Sequence, residues 1–135
     1  MTGRPSQPDD LVAMSEVVYN FQRIFNLKMG FGRAQHDEIP YRAMGPVTEL
    51  EYESRAERYD TQLKDNHQID ISAKTTAEKT ALLRQLRCEH YEELKGAVYK
   101  RRGWTPDGIP TVETVNRLGI DFAEVLQILE ANGVR

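Results

Sequence analysis

Arg101-Arg102-Gly103-Trp104-Thr105-Pro106-Asp107-Gly108-Ile109-Pro110-Thr111 is the stretch whose reading decides the fold. It packs a helix stop, a turn and a helix start around the only tryptophan of the chain. Lys100, Arg101 and Arg102 close a long helical pattern, where cations suit the negative end of the dipole, and Gly103 is the natural residue just past it. Pro106-Asp107-Gly108 is a turn signature, because Pro presets φ at the second position and Gly accepts positive φ. Pro110 continues neither strand nor helix, and Thr111 offers its hydroxyl as an N-cap. The stretch reads as a helical corner in which Trp104 and Ile109 plug a core.

Upstream of the corner, Thr75-Thr76-Ala77-Glu78 is a capping-box pattern. It opens the longest predicted helix, running to Arg101, with Leu82, Leu83, Leu86, His90, Leu94 and Val98 at helical spacing. Gly96, inside it, costs about 1 kcal/mol relative to Ala and marks a kink or a close helix crossing. Downstream, Thr111 to Leu118 is a short helix stopped by Gly119. Asp121-Phe122-Ala123-Glu124 reads as another capping box, opening a last helix with Phe122, Val125, Leu126 and Leu129 inward and Asn132-Gly133 at its end. Near the N-terminus, Asp9 or Asp10 caps a helix with Leu11, Met14, Val18, Phe21 and Phe25 in one apolar stripe. Val17, Ile24 and Leu27 widen that stripe as a core-facing helix needs, and Gly30 and Gly32 end it. Residues 31–47 form a connector. A second helix is expected from about Thr48 to Leu63, its apolar face made of Leu50, Tyr52, Ala56, Tyr59 and Leu63, with Glu51 and Arg55 paired at i, i+4. Residues 64–74 read as a polar loop and residues 1–8 as an irregular lead-in. No β-rich run or repeat appears, so the expected fold is all-α: a multihelical single domain over residues 1–135, of about five helices with long irregular connectors.

The composition, 39% hydrophobic and 29% charged over 135 residues, is that of a soluble globular chain. A net charge of −3, from 18 basic and 21 acidic residues, gives no global field for nucleic acid or an anionic membrane. The basic triplet Lys100-Arg101-Arg102 reads as a dipole cap rather than a nucleic-acid patch. No apolar stretch is long enough to span a membrane, and Met1-Thr2-Gly3-Arg4-Pro5 lacks a signal core. A single cysteine rules out an intramolecular disulfide and suits a reducing compartment, which predicts a cytoplasmic location.

Cys88, His90 and Glu93 fall close together on one predicted helix. Residues two apart on a helix point about 200° away from each other, so Cys88 and His90 cannot grip one ion together. His90 and Glu93 share a face, but such sites need matching pairs on other helices. His36 and His67 lie in predicted loops. Cys88 is expected to be a buried or half-buried structural residue. Asp37 and Glu38, flanked by Arg33 and Arg42, read as ion-pair partners. No nucleophile motif appears. The residues alone therefore give no catalytic, cofactor-binding or metal-binding assignment, and Arg102, Gly103, Trp104, Gly108, Ile109, Pro110 and Thr111 read as a structural motif.

The same corner, R-G-W-x-x-x-G-I-P-T followed by a short helix ending in Leu118-Gly119-Ile120, resembles the C-terminal signature of the aldehyde:ferredoxin oxidoreductase family. A second block supports the resemblance: Asn20, Arg23, Phe25-Asn26-Leu27, Gly30-Phe31, Arg33, Asp37, Pro40 and Arg42. Thr2-Gly3 resembles the family's T-G just upstream of its C-terminal helices. Two blocks in the right order cover most of the chain, although Val98-Tyr99 stands where the family tends to have a tyrosine pair. The resemblance implies a tungsten- or molybdenum-pterin enzyme with a [4Fe-4S] cluster, oxidising an aldehyde to a carboxylate with electrons passed to ferredoxin. A relative in the family reduces an aromatic acyl-CoA instead. The family's cluster and pterin ligands belong to upstream domains, so no cofactor is expected on this chain and no ligand role falls on Cys88. The implied partners are those upstream cofactor-binding domains, in cis or as a separate subunit, with self-association through an exposed apolar patch as a consequence of their absence. The reading from another class is a free-standing helical interaction module or companion subunit with no redox role.

Overall fold

The computed structural model describes residues 7–135, so the Thr2-Gly3 pair and most of the expected lead-in lie outside the described residues; Pro8, its last residue, already belongs to the first helix, whose N-cap is Gln7 rather than Asp9 or Asp10. Six α-helices are present among the described residues: α1 (Pro8–Lys28), α2 (Glu49–Glu53), α3 (Ala56–Thr61), α4 (Thr76–Arg101), α5 (Val112–Arg117) and α6 (Ala123–Ala131). Two 3₁₀ turns, Ala34–Asp37 and Tyr41–Met44, lie in the connector after α1, and a π turn, Gln62–Asn66, follows α3. The only β pairing among the described residues is an isolated bridge between Trp104 and Pro110. The class is all-α, as the sequence predicts. The chain divides into two compact units, one running to Glu38 and resuming over Gly96–Arg135, the other Ile39–Lys95.

In the second unit the expected helix over 48–63 is broken at Ser54–Arg55 into α2 and α3. Thr48 caps α2 by accepting from the Glu51 amide. The predicted Glu51–Arg55 pair does not form; the Glu51 carboxylate instead takes Arg42 and, at 2.8 Å, the Val47 amide. The core is Tyr52, Tyr59, Leu63, Ile71 and Leu83, so the polar loop after α3 turns one apolar side chain inward, while Leu50 on the expected face is exposed. The Tyr52 hydroxyl donates to Asp60 at 2.8 Å, and Lys79 holds the same carboxylate at 3.2 Å. Burial opposes ionisation of Asp60, but the Tyr52 and Lys79 hydrogen bonds outweigh it and its pKa is lowered. The Thr75–Glu78 capping box forms in both directions: the Glu78 amide donates to Thr75 Oγ1 at 3.2 Å and the Thr75 amide to Glu78 Oε2 at 2.7 Å. A Cβ on Gly96 would meet nothing within 4 Å, so no close crossing is found there.

The first unit is built on α1, α5, α6 and the end of α4. Its core is Ile24, Leu27, Ile109, Val115, Ile120, Val125 and Leu129. Here the sequence reading is corrected. The stripe Leu11, Met14, Val18, Phe21 and Phe25 is 48–64% exposed, while α1 buries Asn20, Arg23, Ile24 and Leu27. The face that looks best for a core on hydrophobicity is the outer one. At α6 the N-cap is Phe122, without a side-chain cap bond, so the second expected capping box does not form. Phe122 and Leu126 are exposed rather than inward, while Val125 and Leu129 reach the core.

Candidate functional site

The two sequence blocks, one on and after α1 and one after α4, meet around Trp104 in the first unit. Gly103 follows α4 with φ 68°, and an added Cβ there would lie 2.0 Å from Thr114 Oγ1. That hydroxyl donates to the Gly103 carbonyl at 2.8 Å, while the Thr114 amide donates to Thr111 Oγ1 at 3.2 Å and so caps α5. The Trp104 to Pro110 segment is a hairpin-like turn: Thr105 N–H donates to the Ile109 carbonyl and Gly108 N–H to the Thr105 carbonyl, both at 2.8 Å. Trp104 is thereby pressed into the core with its indole N–H donating to Asn20 Oδ1 at 2.7 Å. Asn20 is fully buried, so this is the polar handle that lets a tryptophan enter an apolar interior.

Arg23, one helical turn further along α1, joins the corner to the connector. Its Nε donates to the Gly108 carbonyl at 2.9 Å, and its two terminal nitrogens clasp the Asp37 carboxylate at 2.8 and 2.6 Å. A bidentate guanidinium–carboxylate pair of this kind fixes orientation as well as charge. The guanidinium also lies 4.8 Å from the Trp104 ring and 5.9 Å from the Tyr99 ring. Tyr99, near the end of α4, donates its hydroxyl to Asp37. Burial, followed by the adjacent carboxylate, pushes the Tyr99 phenol above the ordinary tyrosine range. Gly108 closes the arrangement with φ 75°, where a Cβ would stand 2.3 Å from Arg23 Nη2. Beside it, Arg33 pairs with Asp107 at 2.5 Å and donates to Asn132 Oδ1 at 2.9 Å. The predicted partners are thus exchanged: Asp37 takes Arg23 and Tyr99, Arg33 takes Asp107, and Arg42 takes Glu51.

Of the expected motif, Gly103, Trp104, Gly108, Ile109, Pro110 and Thr111 all build the corner. Arg102 lies outside it, stacked 4.6 Å from the Tyr19 ring and 5.1 Å from the Trp104 ring. Tyr99, named from the sequence only as part of the Val98-Tyr99 pair at a family tyrosine position, carries a role that sequence reasoning missed. Among the described residues no buried side-chain nitrogen or oxygen lacks a hydrogen-bond partner. The network is saturated: Asp37 accepts from Arg23 and Tyr99, and Arg23 also donates to the Gly108 carbonyl, so the geometry is that of a joint.

Cys88 is exposed rather than buried, and His90 and Glu93 are exposed with it. Among the described residues no group of three His, Cys, Asp or Glu could hold a metal ion, and none of the described helices is long and apolar enough to cross a membrane.

The chain belongs to the aldehyde ferredoxin oxidoreductase family: the family model for aldehyde ferredoxin oxidoreductase, domains 2 & 3, matches residues 1–120. No curated protein and no solved structure matches the chain. The match stops just short of α6, although α6 supplies Val125 and Leu129 to the same core. The family implies a tungsten- or molybdenum-pterin and an iron–sulfur cluster for the full enzyme. A [4Fe-4S] cluster takes four thiolates, and the one cysteine here does not fit it.

Proposed function

We propose that this chain is the C-terminal structural part, as a fragment or a split subunit, of an aldehyde:ferredoxin oxidoreductase-like tungstopterin and [4Fe-4S] enzyme of the cytoplasm. It packs against the family's cofactor-binding domains, in cis or as a separate subunit, and is not catalytic alone. The observation that carries the reading is the match of residues 1–120 to a model of domains 2 and 3 of that enzyme. Two features support it. The buried polar groups of the Trp104 corner all have hydrogen-bond partners, which hold α1, α4 and the turn together. The outer face of α1 exposes five large apolar side chains, as a piece that packs on neighbouring domains would.

The chain's own residues therefore contribute support rather than chemistry: the joint fixes the helices whose outer faces meet the cofactor domains. The pterin and cluster supply the redox chemistry from those domains. The test is to purify the chain by itself under anaerobic conditions and measure tungsten, molybdenum and iron together with aldehyde oxidation by a viologen dye. The reading predicts no stoichiometric metal and no turnover. Stoichiometric metal or turnover on the isolated chain would overturn it. A free-standing module without redox role is the outcome left if no cofactor-bearing polypeptide ever binds.

A further inference from the structure

In the second unit the charge changes sign at one place. Arg42, Arg55 and Arg87 line a concave pocket of about 360 Å³ in which Glu51 is the only acid among the described residues. Asp and Glu outnumber Lys and Arg in that unit as a whole, so the reversal is local. The three arginines come from the 3₁₀ turn Tyr41–Met44, the residue before α3, and α4. The wall they share is fastened in place. Arg84 ties the connector to α4 by donating to the carbonyls of Tyr41 at 2.7 Å, Gly45 at 3.2 Å and Pro46 at 3.3 Å. Arg87 is half-buried, 5.4 Å from the Tyr59 ring, and its Nη2 donates to Gln62 Oε1 at 2.7 Å. Gly45 takes φ 133°, and a Cβ there would stand 3.0 Å from Arg87 Nη1, so a side chain at this position would crowd the guanidinium.

The charges in this pocket do not cancel. The Glu51 carboxylate is taken by Arg42 and, at 2.8 Å, by the Val47 amide. Arg87 meets only the neutral Gln62, and its Nε and Nη1 have no acceptor among the described residues. The Arg55 side chain makes no hydrogen bond, ion pair or ring contact among the described residues. Two guanidinium charges therefore share one concavity with nothing to balance them, each with donors in the planar fork that suits an oxyanion. We infer that this pocket binds the phosphoryl group of a phosphorylated small molecule, with Arg55 and Arg87 donating to its oxygens. Charge selects the group. A phosphate monoester carries about −1.5 to −2 at neutral pH with three strong acceptor oxygens, enough to balance both guanidinia, whereas a carboxylate leaves one of them uncompensated. Size selects a small molecule, since the pocket lies at the lower end of the roughly 300–1,000 Å³ range of ligand sites. A long polyanion is disfavoured by the net charge of −3 on the chain. The inference does not depend on the proposed function, which rests on the family match and on other surfaces.

Titration of the isotope-labelled full chain with inorganic phosphate and with glycerol phosphate, at constant ionic strength and followed by NMR, tests the site. Saturable shifts are expected at Gly45 and at the Nε–H groups of Arg55 and Arg87, with a dissociation constant on the order of 1 mM. Acetate should bind at least about 10-fold more weakly, because it brings one charge. Arg55→Gln alters a side chain with no partner in the chain, so the fold is kept, and it should weaken phosphate binding by about 10-fold. Arg87→Gln should do the same, with circular dichroism checking that its loss of the Tyr59 and Gln62 contacts leaves the helices intact. Arg58→Gln, at an exposed arginine that does not line the pocket, should change the affinity less than about twofold. No saturation by about 20 mM phosphate, acetate binding as well as phosphate, or equal losses in Arg55→Gln and Arg58→Gln would overturn the inference. So would a phosphoserine peptide binding more tightly than glycerol phosphate, which would make the occupant a polypeptide. Each of these results leaves the proposed function where the metal analysis of the isolated chain puts it.

Discussion

Truncating Trp104 to alanine is the sharpest perturbation of the joint. The indole is buried, and removing a buried tryptophan or phenylalanine side chain costs about 3–5 kcal/mol in lost transfer energy and cavity. The same change strips Asn20 Oδ1 of the donor 2.7 Å away while Asn20 stays wholly buried, adding about 1–3 kcal/mol for an unsatisfied acceptor. The Arg23 guanidinium also loses the ring 4.8 Å from it. Because these groups touch one another, the losses are not additive, and a total of about 4–6 kcal/mol is expected. That is a large part of the roughly 5–15 kcal/mol available to a domain. The assay is urea unfolding followed by far-ultraviolet circular dichroism, since the variant has no tryptophan left to report fluorescence. Trp104→Phe separates the two contributions: it keeps most of the ring and loses the N–H, and should cost about 1–3 kcal/mol. A change within about half a kcal/mol for Trp104→Ala, the size of an ordinary surface substitution, would mean that the ring is not buried as described and would refute the reasoning.

Gly108→Ala should destabilise by more than about 1 kcal/mol, because φ is 75° and the new methyl would press on Arg23 and Tyr99; denaturation midpoints of the two chains check it, and a neutral result would deny the close approach. Tyr52 and Tyr99 both have phenols pushed up, first by burial and then by the carboxylates of Asp60 and Asp37. A raised native pKa means that their contribution to stability is complete below the unfolded value near 10 and is lost as pH rises above it. Phenolate absorbance, compared with that of Tyr52→Phe and Tyr99→Phe chains, should therefore show these two phenols ionising only as the chain unfolds in alkali, and ionisation of either before unfolding would contradict this. Thr75→Ala removes the N-cap of α4 and should cost about 1 kcal/mol, with Thr75→Ser close to neutral in the same unfolding experiment.

The corner was legible because each of its signals is local: Gly103 and Gly108 take positive φ, and Thr111 caps α5 with its own hydroxyl. The capping box of α4 was legible for the same reason. On α1, Ile24 and Leu27 reach the core as the widened stripe predicts, but the stripe they widen does not. Summed hydrophobicity favours Leu11, Met14, Val18, Phe21 and Phe25 over a stripe containing Asn20 and Arg23, yet the polar pair is buried because Trp104 and the Gly108 carbonyl reach it from 84 and 85 residues along the chain. Periodicity says that a helix has a face, and only tertiary partners say which face the core will take. The same limit exchanged the ion pairs of Asp37, Arg33 and Arg42, and it hid Tyr99. The break of the second helix at Ser54–Arg55 carries no Gly or Pro, so no turn signal announced it.

The account's central claim is that this chain supports redox chemistry held by the cofactor domains of the family. The most direct test is an anaerobic pull-down of the tagged chain from its source organism, with tungsten, molybdenum and iron quantified and the recovered polypeptides sequenced. The account predicts metal recovered together with a larger, cysteine-bearing polypeptide that carries the cofactor domains of the family. Recovery of the chain with neither metal nor such a polypeptide would contradict it.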